Sequence, residues 1–179
     1  MGRPRADCGE AMSQRQQYPH LTPNTGDWHV WNIGMLIVQL QELEFSARVV
    51  IARSTGSGIV VDLASLTPGD WVPQDPMTSY DSLAAVLKKF NELASPERQL
   101  DVSRLVDLRD ELAHGRIAVL KPQIFPLTYF KFGKSMKGKG VPVAARIEMT
   151  EAWFLAQRKL VHEALQMVAD EHWRLERLG

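Results

Sequence analysis

The sequence LVDLRDELAHGR, at positions 105–116, ends an amphipathic helix around which the other elements can be ordered. Its three leucines recur at intervals of three and four residues, which is the spacing of one apolar face of an α-helix. Gly115 comes directly after His114, and glycine is the residue type that commonly follows the last turn of a helix. The pattern therefore predicts a helix from about residue 101 to residue 114.

Two further helices are predicted before this one. Residues 27–52 are rich in apolar side chains at helical spacing, and Asp27 is a suitable N-cap. A shorter helix begins near residues 79–81 and ends before Ser95, where a Ser-Pro pair signals a new helix start. In the long helix we expect the following residues to face the core: Trp31, Leu36, Leu40, Leu43 and Val50.

A long connection is predicted between these two helices. Residues 53–78 contain three glycines and three prolines, which are unfavourable in the interior of helices. Connections of this length inside a compact domain are usually functional or disordered. Trp71 predicts that part of this segment packs back on the core.

A β-hairpin and a last helix are predicted after the glycine. Residues 124–132 and 141–149 are rich in β-branched and aromatic side chains, and they flank the sequence GKSMKGKG at positions 133–140. Thr150 can then cap a helix that runs from Glu151 to about Leu178. Its candidate core residues are Phe154, Leu160, Val161, Leu165, Val168, Trp173 and Leu175.

These elements predict a mainly α fold. The helices follow in the order long, short, short, long, which is typical of an up-and-down four-helix bundle, with the β-hairpin inserted between the third and fourth helices. A chain of 179 residues is long enough for one well-buried core. We therefore predict a single helical domain over residues 27–179, preceded by a flexible leader over residues 1–26.

The composition restricts which binding partners and which cellular compartment we expect. The chain has 21 basic and 21 acidic residues, so any contact with RNA must come from local basic patches. Cys8 is the one cysteine, which excludes an internal disulfide and favours a reducing, cytoplasmic compartment. The leader lacks the apolar core of an export signal, and polar side chains interrupt the hydrophobic stretch 27–52, so we expect neither secretion nor a membrane span.

Arg109 and His114 are the candidate functional pair. A guanidinium remains positively charged and can bind a phosphate, whereas an imidazole can transfer a proton near neutral pH. Spacing alone is not specific, because Arg15 and His20 repeat it in the leader, where Pro19 opposes a helix. The helical context is what distinguishes the pair at positions 109 and 114.

The sequence Arg109-Asp110-x-x-x-His114 resembles the signature of the HEPN family, in which an arginine and a polar residue precede a histidine. The family is a four-helix bundle, so the resemblance extends at the level of helix order from Asp27 to the C-terminus. It implies a ribonuclease that needs neither metal nor cofactor, in which the substrate's 2′-hydroxyl attacks its own phosphodiester. In that interpretation Arg109 stabilises the phosphate, His114 transfers the proton and Asp110 orients one of them.

The resemblance also implies a second copy of the chain. On a straight helix, residues five positions apart point about 140° from each other, and the family completes its site by pairing two motifs at a dimer interface. The implied partners are a homodimer, RNA, and a cognate antitoxin or nucleotidyltransferase in a stress, defence or toxin-antitoxin setting. Arg116 departs from the HEPN toxins that have tyrosine at this position, and a tyrosine-dependent step is not expected here.

Basic residues in the hairpin form a second candidate site. Lys131, Lys134, Lys137, Lys139 and Arg116 could guide RNA towards the motif, with neighbouring aromatic rings as stacking surfaces. A solvated turn with inward-facing aromatic side chains is the alternative interpretation. No metal site is predicted, since the histidines lack the spacing of metal ligands.

Two alternatives to a nuclease remain open at this level. One is a non-catalytic HEPN-like module that binds nucleotides or a partner. The other is a helical structural protein in which Arg109 is a surface residue and His114 a helix cap.

Overall fold

The computed structural model describes residue 22 and residues 25–56, 65–118 and 125–177. This part of the chain is mainly helical, with a small antiparallel sheet. The helices are α1 (Gly26–Ser54), α2 (Leu83–Leu93), α3 (Val102–His114) and α4 (Glu151–Glu176), and a short 3-10 turn (Pro96–Arg98) precedes α3. The strands are β1 (Arg116–Ala118), β2 (Thr128–Phe132) and β3 (Val143–Glu148).

Side-chain caps set the beginnings of the helices. The Thr25 hydroxyl accepts a hydrogen bond from the Trp28 backbone N–H at 3.3 Å, so α1 begins at Gly26. The prediction that Asp27 is the N-cap is wrong, because Asp27 lies inside the first turn, where a carboxylate interacts favourably with the helix dipole. Ser82, Asp101 and Thr150 cap the other three helices.

The predicted hairpin is present and belongs to a larger sheet. Strands β2 and β3 pair antiparallel, and β1 adds to the other edge of β2 to give the order β1-β2-β3. The sequence did not indicate β1, which is three residues long and follows the helix after a single glycine. Such a short segment has no periodicity of its own, and it becomes a strand because β2 supplies hydrogen bonds.

The core lies between the helices, and α1 contacts each of the other three. Leu36, Leu40, Leu43 and Val50 of α1 are buried as predicted, while Trp31 is only partly buried. The α4 predictions hold for Phe154, Val161 and Val168, with Leu160, Leu165 and Leu175 partly buried at the margin.

Two tryptophans that were expected at or near the core are exposed. Trp173 is 59% exposed because the buried face of α4 contains Val168 and Glu171, and a residue two positions beyond Glu171 points about 200° away from it. Trp71 is 98% exposed, so it is not the residue through which the connection packs back on the core, although residues 75–79 are partly buried.

Arg48, rather than an aromatic residue, anchors the connection to α1. Its guanidinium is buried and donates hydrogen bonds to the carbonyl oxygens of Pro76 and Asp81, both at 2.8 Å, and to Ser79. Glu44, one turn earlier in α1, accepts from the same guanidinium at 2.8 Å. The charge is thus paired, and the backbone leading into α2 follows the surface of α1.

Several predictions concern residues outside the described part of the chain. These are the leader up to residue 21 with Cys8, Arg15 and His20, the segment 57–64 of the connection, residue 124 at the predicted hairpin start, and Leu178. Among the helices that are described, none is both long enough and apolar enough to span a bilayer.

Candidate functional site

The carboxyl end of α3 is positioned by the contact between Gly115 and the sheet. The Gly115 N–H donates to the Glu111 carbonyl at 3.0 Å, and the backbone then leaves in an extended conformation as β1. A Cβ atom at this position would overlap the ring of Tyr129, which is buried in β2. Glycine is therefore required at this position because there is no room for a Cβ atom. The backbone conformation is not the reason, because a φ of −69° is available to any residue.

Arg109 lies on the side of α3 that faces α1. Its side chain is 48% exposed, and its guanidinium donates a hydrogen bond of 2.8 Å to the neighbouring Asp110. It lines a groove of about 240 Å³ together with Gln41 and Glu44 of α1 and Leu83 of α2. Asp110 is thus in contact with Arg109, and its orienting role stays a prediction.

His114 lies in the last turn of α3 and is exposed. It is not among the residues that line the Arg109 groove, and within the described segments no side chain forms a hydrogen bond with its ring. Helical spacing places it instead on the face that carries Asp107 and Glu111. One chain therefore presents the arginine and the histidine on different sides of the same helix.

Glu111 differs from the solvated surface charge that a glutamate on a helix face usually is. Its side chain is partly covered, and burial raises the pKa of its carboxyl above the ordinary value. Lys131 of β2 opposes that rise in pKa, and the negative charge of Asp107 adds to it. The partial burial of Glu111 depends on tertiary packing, so the helical pattern of α3 does not distinguish it from the more exposed Asp107.

Tyr129, one of the aromatic residues beside the hairpin lysines, lies on the same side of the motif as Glu111. Burial raises the pKa of its phenol, and the negative charges of Glu111, Asp107 and Asp110 raise it further. The neutral phenol is thus packed between Gly115 and the acidic side of α3. Its role in the site is to hold the end of α3 against the sheet.

The predicted RNA-binding residues do not form one surface. Side chains alternate between the two faces of a strand, and the strand register places Lys131 on the same face as Tyr129, where its ammonium lies 3.7 Å from Asp107. Arg116 lies on the opposite face, with its guanidinium 5.0 Å from the centre of the Phe132 ring. Lys134, Lys137 and Lys139 are exposed in the turn between β2 and β3.

Phe130, Phe132 and Arg146 extend the surface around Arg116. Phe130 pairs with Arg116 on one side and with Arg146 on the other, so a row of arginine, phenylalanine and arginine crosses the three strands. The Phe130 and Phe132 rings stack with their centres 6.4 Å apart. Arg146 was missed because its role depends on the strand register.

The other histidines in the described part of the chain lie away from the motif. His29 is buried, and its Nδ1 and Nε2 lie 2.7 Å and 3.0 Å from the carbonyl oxygens of Thr25 and Met149. His162 and His172 border a groove of about 620 Å³ between α1 and α4, beside the exposed rings of Phe45 and Trp173. The described part of the chain contains no group of three or more His, Cys, Asp or Glu side chains that could hold a metal ion.

Comparisons with known proteins do not assign the chain to a family. No protein-family model matches it, and no curated protein or solved structure is significantly similar to it. Function must therefore be inferred from the residues and their geometry.

Proposed function

We propose that this protein is a metal-independent endoribonuclease of the HEPN type. The observation that carries the proposal is the placement of Arg109 and His114 at the end of α3. Both side chains are accessible to solvent, and a helix packed against α1 and the sheet holds them in place. Rigid elements are suited to holding catalytic groups in a defined geometry.

The proposed reaction needs one negative charge stabilised and one proton moved. The 2′-oxygen of the substrate attacks the adjacent phosphorus, the bond from phosphorus to the 5′-oxygen breaks, and the products end in a 2′,3′-cyclic phosphate and a 5′-hydroxyl. The proton lost by the 2′-hydroxyl is balanced by the proton gained by the 5′-oxygen, and His114 takes part in this transfer. Arg109 stabilises the charge that develops on the phosphate oxygens.

A homodimer is part of the proposal. Arg109 faces the α1 groove and His114 does not line that groove, so a single chain is poorly arranged to present both groups to one phosphate. Two copies related by a two-fold axis can place Arg109 of one copy beside His114 of the other. A stress, defence or toxin-antitoxin role, with an antitoxin or nucleotidyltransferase as partner, is proposed from the resemblance alone, and a cytoplasmic location is proposed from the cysteine content.

The test is cleavage of single-stranded RNA in the presence of EDTA. We expect the wild type to produce 2′,3′-cyclic phosphate ends. Typical effects of removing an acid–base or an electrostatic group predict rates reduced by about 10² to 10⁴ in His114→Ala and about 10² to 10³ in Arg109→Ala. Arg104→Ala, which removes an exposed arginine from the first turn of α3, is the matched control and should cut normally.

Co-expression of the two inactive variants tests the dimer. A mixed dimer of Arg109→Ala and His114→Ala chains retains one pairing of an intact arginine with an intact histidine, so activity should partly return. No return of activity in mixed dimers, with both single variants inactive, would place the site within one chain. Undiminished cleavage by both variants contradicts the proposed site, whereas RNA binding without cleavage by the wild type supports the non-catalytic module.

A further inference from the structure

The sheet has one face turned towards α3 and one turned away from it. The face towards α3 carries Tyr129 and Ile147, which pack with the core, and Lys131, which approaches Asp107. The opposite face carries Arg116, Phe130, Phe132 and Arg146, and these four residues are named here the outer platform. The two faces therefore differ in what they can bind.

The outer platform combines exposed aromatic rings with exposed guanidinium groups. Phe132 is 41% exposed, Phe130 is partly exposed, and the side chain of Arg146 is 57% exposed. The Arg116 guanidinium lies over the Phe132 ring, which holds the cation at the surface while its N–H donors remain available. An apolar partner surface would have to cover these charges, whereas a nucleic acid offers both base faces and phosphates.

The strand register determines the distances between the residues of the outer platform. Neighbouring strands lie about 4.8 Å apart, so the Arg116 and Arg146 backbones are separated by about 10 Å, with Phe130 midway between them. A base stacked on the Phe130 ring would therefore have one guanidinium on each side for the adjoining phosphates. Glu148 lies on the same face, 3.7 Å from Arg146, at the end of β3 farther from Phe132.

The platform is also close to the motif. Arg116 follows His114 by two residues, which limits the distance between their Cα atoms to about 7 Å. A strand of nucleic acid on the platform could thus continue to the end of α3 without leaving the protein surface.

We propose that the outer platform binds unpaired bases of RNA and delivers a single-stranded segment to the Arg109–His114 motif. This inference rests on the proposed function and names the substrate class as single-stranded RNA. Stacking on an aromatic ring requires a free base face, which a duplex does not present, and such stacking accepts every base. The platform therefore selects strandedness and leaves sequence preference to other contacts.

The experiment measures binding separately from cleavage. The probe is a fluorescent single-stranded 2′-O-methyl RNA of about 12 nucleotides, a length in the range that such surfaces bind; it cannot be cut because its attacking hydroxyl is blocked. Fluorescence anisotropy gives the Kd at several salt concentrations, with a duplex of the same sequence for comparison. We expect the wild type to prefer the single strand.

Two kinds of variant separate stacking from charge. Phe130→Ala should weaken binding roughly fivefold to hundredfold without changing the salt slope, as is typical of the loss of one stacked base. Phe130→Leu keeps apolar bulk in the strand and should also bind more weakly, which guards against an effect of misfolding. Arg146→Ala should reduce the slope of log K against log salt by about 0.7, the value for one phosphate contact on a single strand.

Lys159→Ala is the matched control, because it removes an exposed cation from α4 rather than from the sheet. It should leave the Kd and the salt slope close to those of the wild type. Equal losses in Lys159→Ala, Phe130→Ala and Arg146→Ala, or equal binding of duplex and single strand, would overturn the platform.

Failure of the platform and failure of the nuclease can be distinguished. RNA cleavage by the wild type, together with unchanged binding in Phe130→Ala and Arg146→Ala, overturns the platform and leaves the ribonuclease standing. The predicted binding pattern without any cleavage supports the platform and overturns the nuclease. If the wild type does not bind the single-stranded probe at any salt concentration, the proposed platform is overturned.

Discussion

Replacement of Gly115 by alanine links the packing of the sheet to the end of the helix that carries the motif. The added Cβ would overlap the edge of the buried Tyr129 ring and the Glu111 carbonyl oxygen, to which the Gly115 N–H is bonded. Neither neighbour can move freely, because the Tyr129 ring is packed in the core and the carbonyl belongs to the last turn of α3. We therefore expect Gly115→Ala to shift β2 away from α3.

The magnitude follows from the costs of overpacking a well-filled site. Extra carbon atoms in such positions destabilise proteins by about 1–3 kcal/mol. For a chain of this size, 1 kcal/mol lowers the Tm by about 2 to 4 °C, so the variant should melt about 2 to 12 °C below the wild type. Because His114 precedes the altered residue, RNA cleavage should fall together with stability.

Gly34→Ala is the matched control. Gly34 lies in the interior of α1, and a Cβ there meets no atom within 4 Å. The same substitution should raise stability at this position by about 0.5–1 kcal/mol, since alanine loses less backbone entropy in a helix than glycine does. Thermal melts followed by circular dichroism measure both changes.

A double-mutant cycle with Tyr129→Ala identifies the cause. If the clash with the ring is responsible, Gly115→Ala should cost much less in the background that lacks the ring. An unchanged cost in that background, or a Tm of Gly115→Ala at or above that of the wild type, refutes the packing argument.

Two other predictions concern the acidic side of α3 and the placement of aromatic residues. Burial raises the pKa of Glu111, so ionisation costs stability as the pH rises above its unfolded pKa of about 4.3. Glu111→Gln should therefore melt above the wild type at pH 7, and the difference should vanish below about pH 4; a difference that is equal at both pH values would contradict this sign. Phe154→Ala should cost about 3–5 kcal/mol because the ring is fully buried, whereas Trp71→Ala should stay within about 0.5 kcal/mol of the wild type because its ring is exposed. Urea unfolding measures this pair, and a large effect at Trp71 would contradict the described surface.

Helix order and most helix ends could be predicted from the sequence. The apolar spacing of residues 27–52 and the leucines of α3 identified helices, and Ser-Pro, Thr150 and Gly115 identified their boundaries to within a few residues. These signals are local, because they depend on the 3.6-residue period and on capping groups within one turn. The motif could be located at the end of α3 for the same reason.

Other features of the site depend on elements that are distant in sequence. The strand β1 exists because β2 accepts it as a neighbour, and Arg146 joins the platform because the register places it opposite Phe130. Burial of Glu111 and exposure of Trp173 likewise depend on which surfaces the other elements cover. Residue type was a poor guide at these positions, since tryptophan suggested the core and glutamate suggested solvent.

The sequence by itself determined four helices, their order, and a motif that combines a fixed positive charge with a titratable imidazole. Periodicity and caps carry this information because each acts within one or two helical turns. Only the tertiary structure decided that Arg109 lines a groove with α1 while His114 does not, and that two arginines flank stacked phenylalanines on one face of the sheet. Those arrangements arise from strand register and helix packing, which join residues that no local pattern connects.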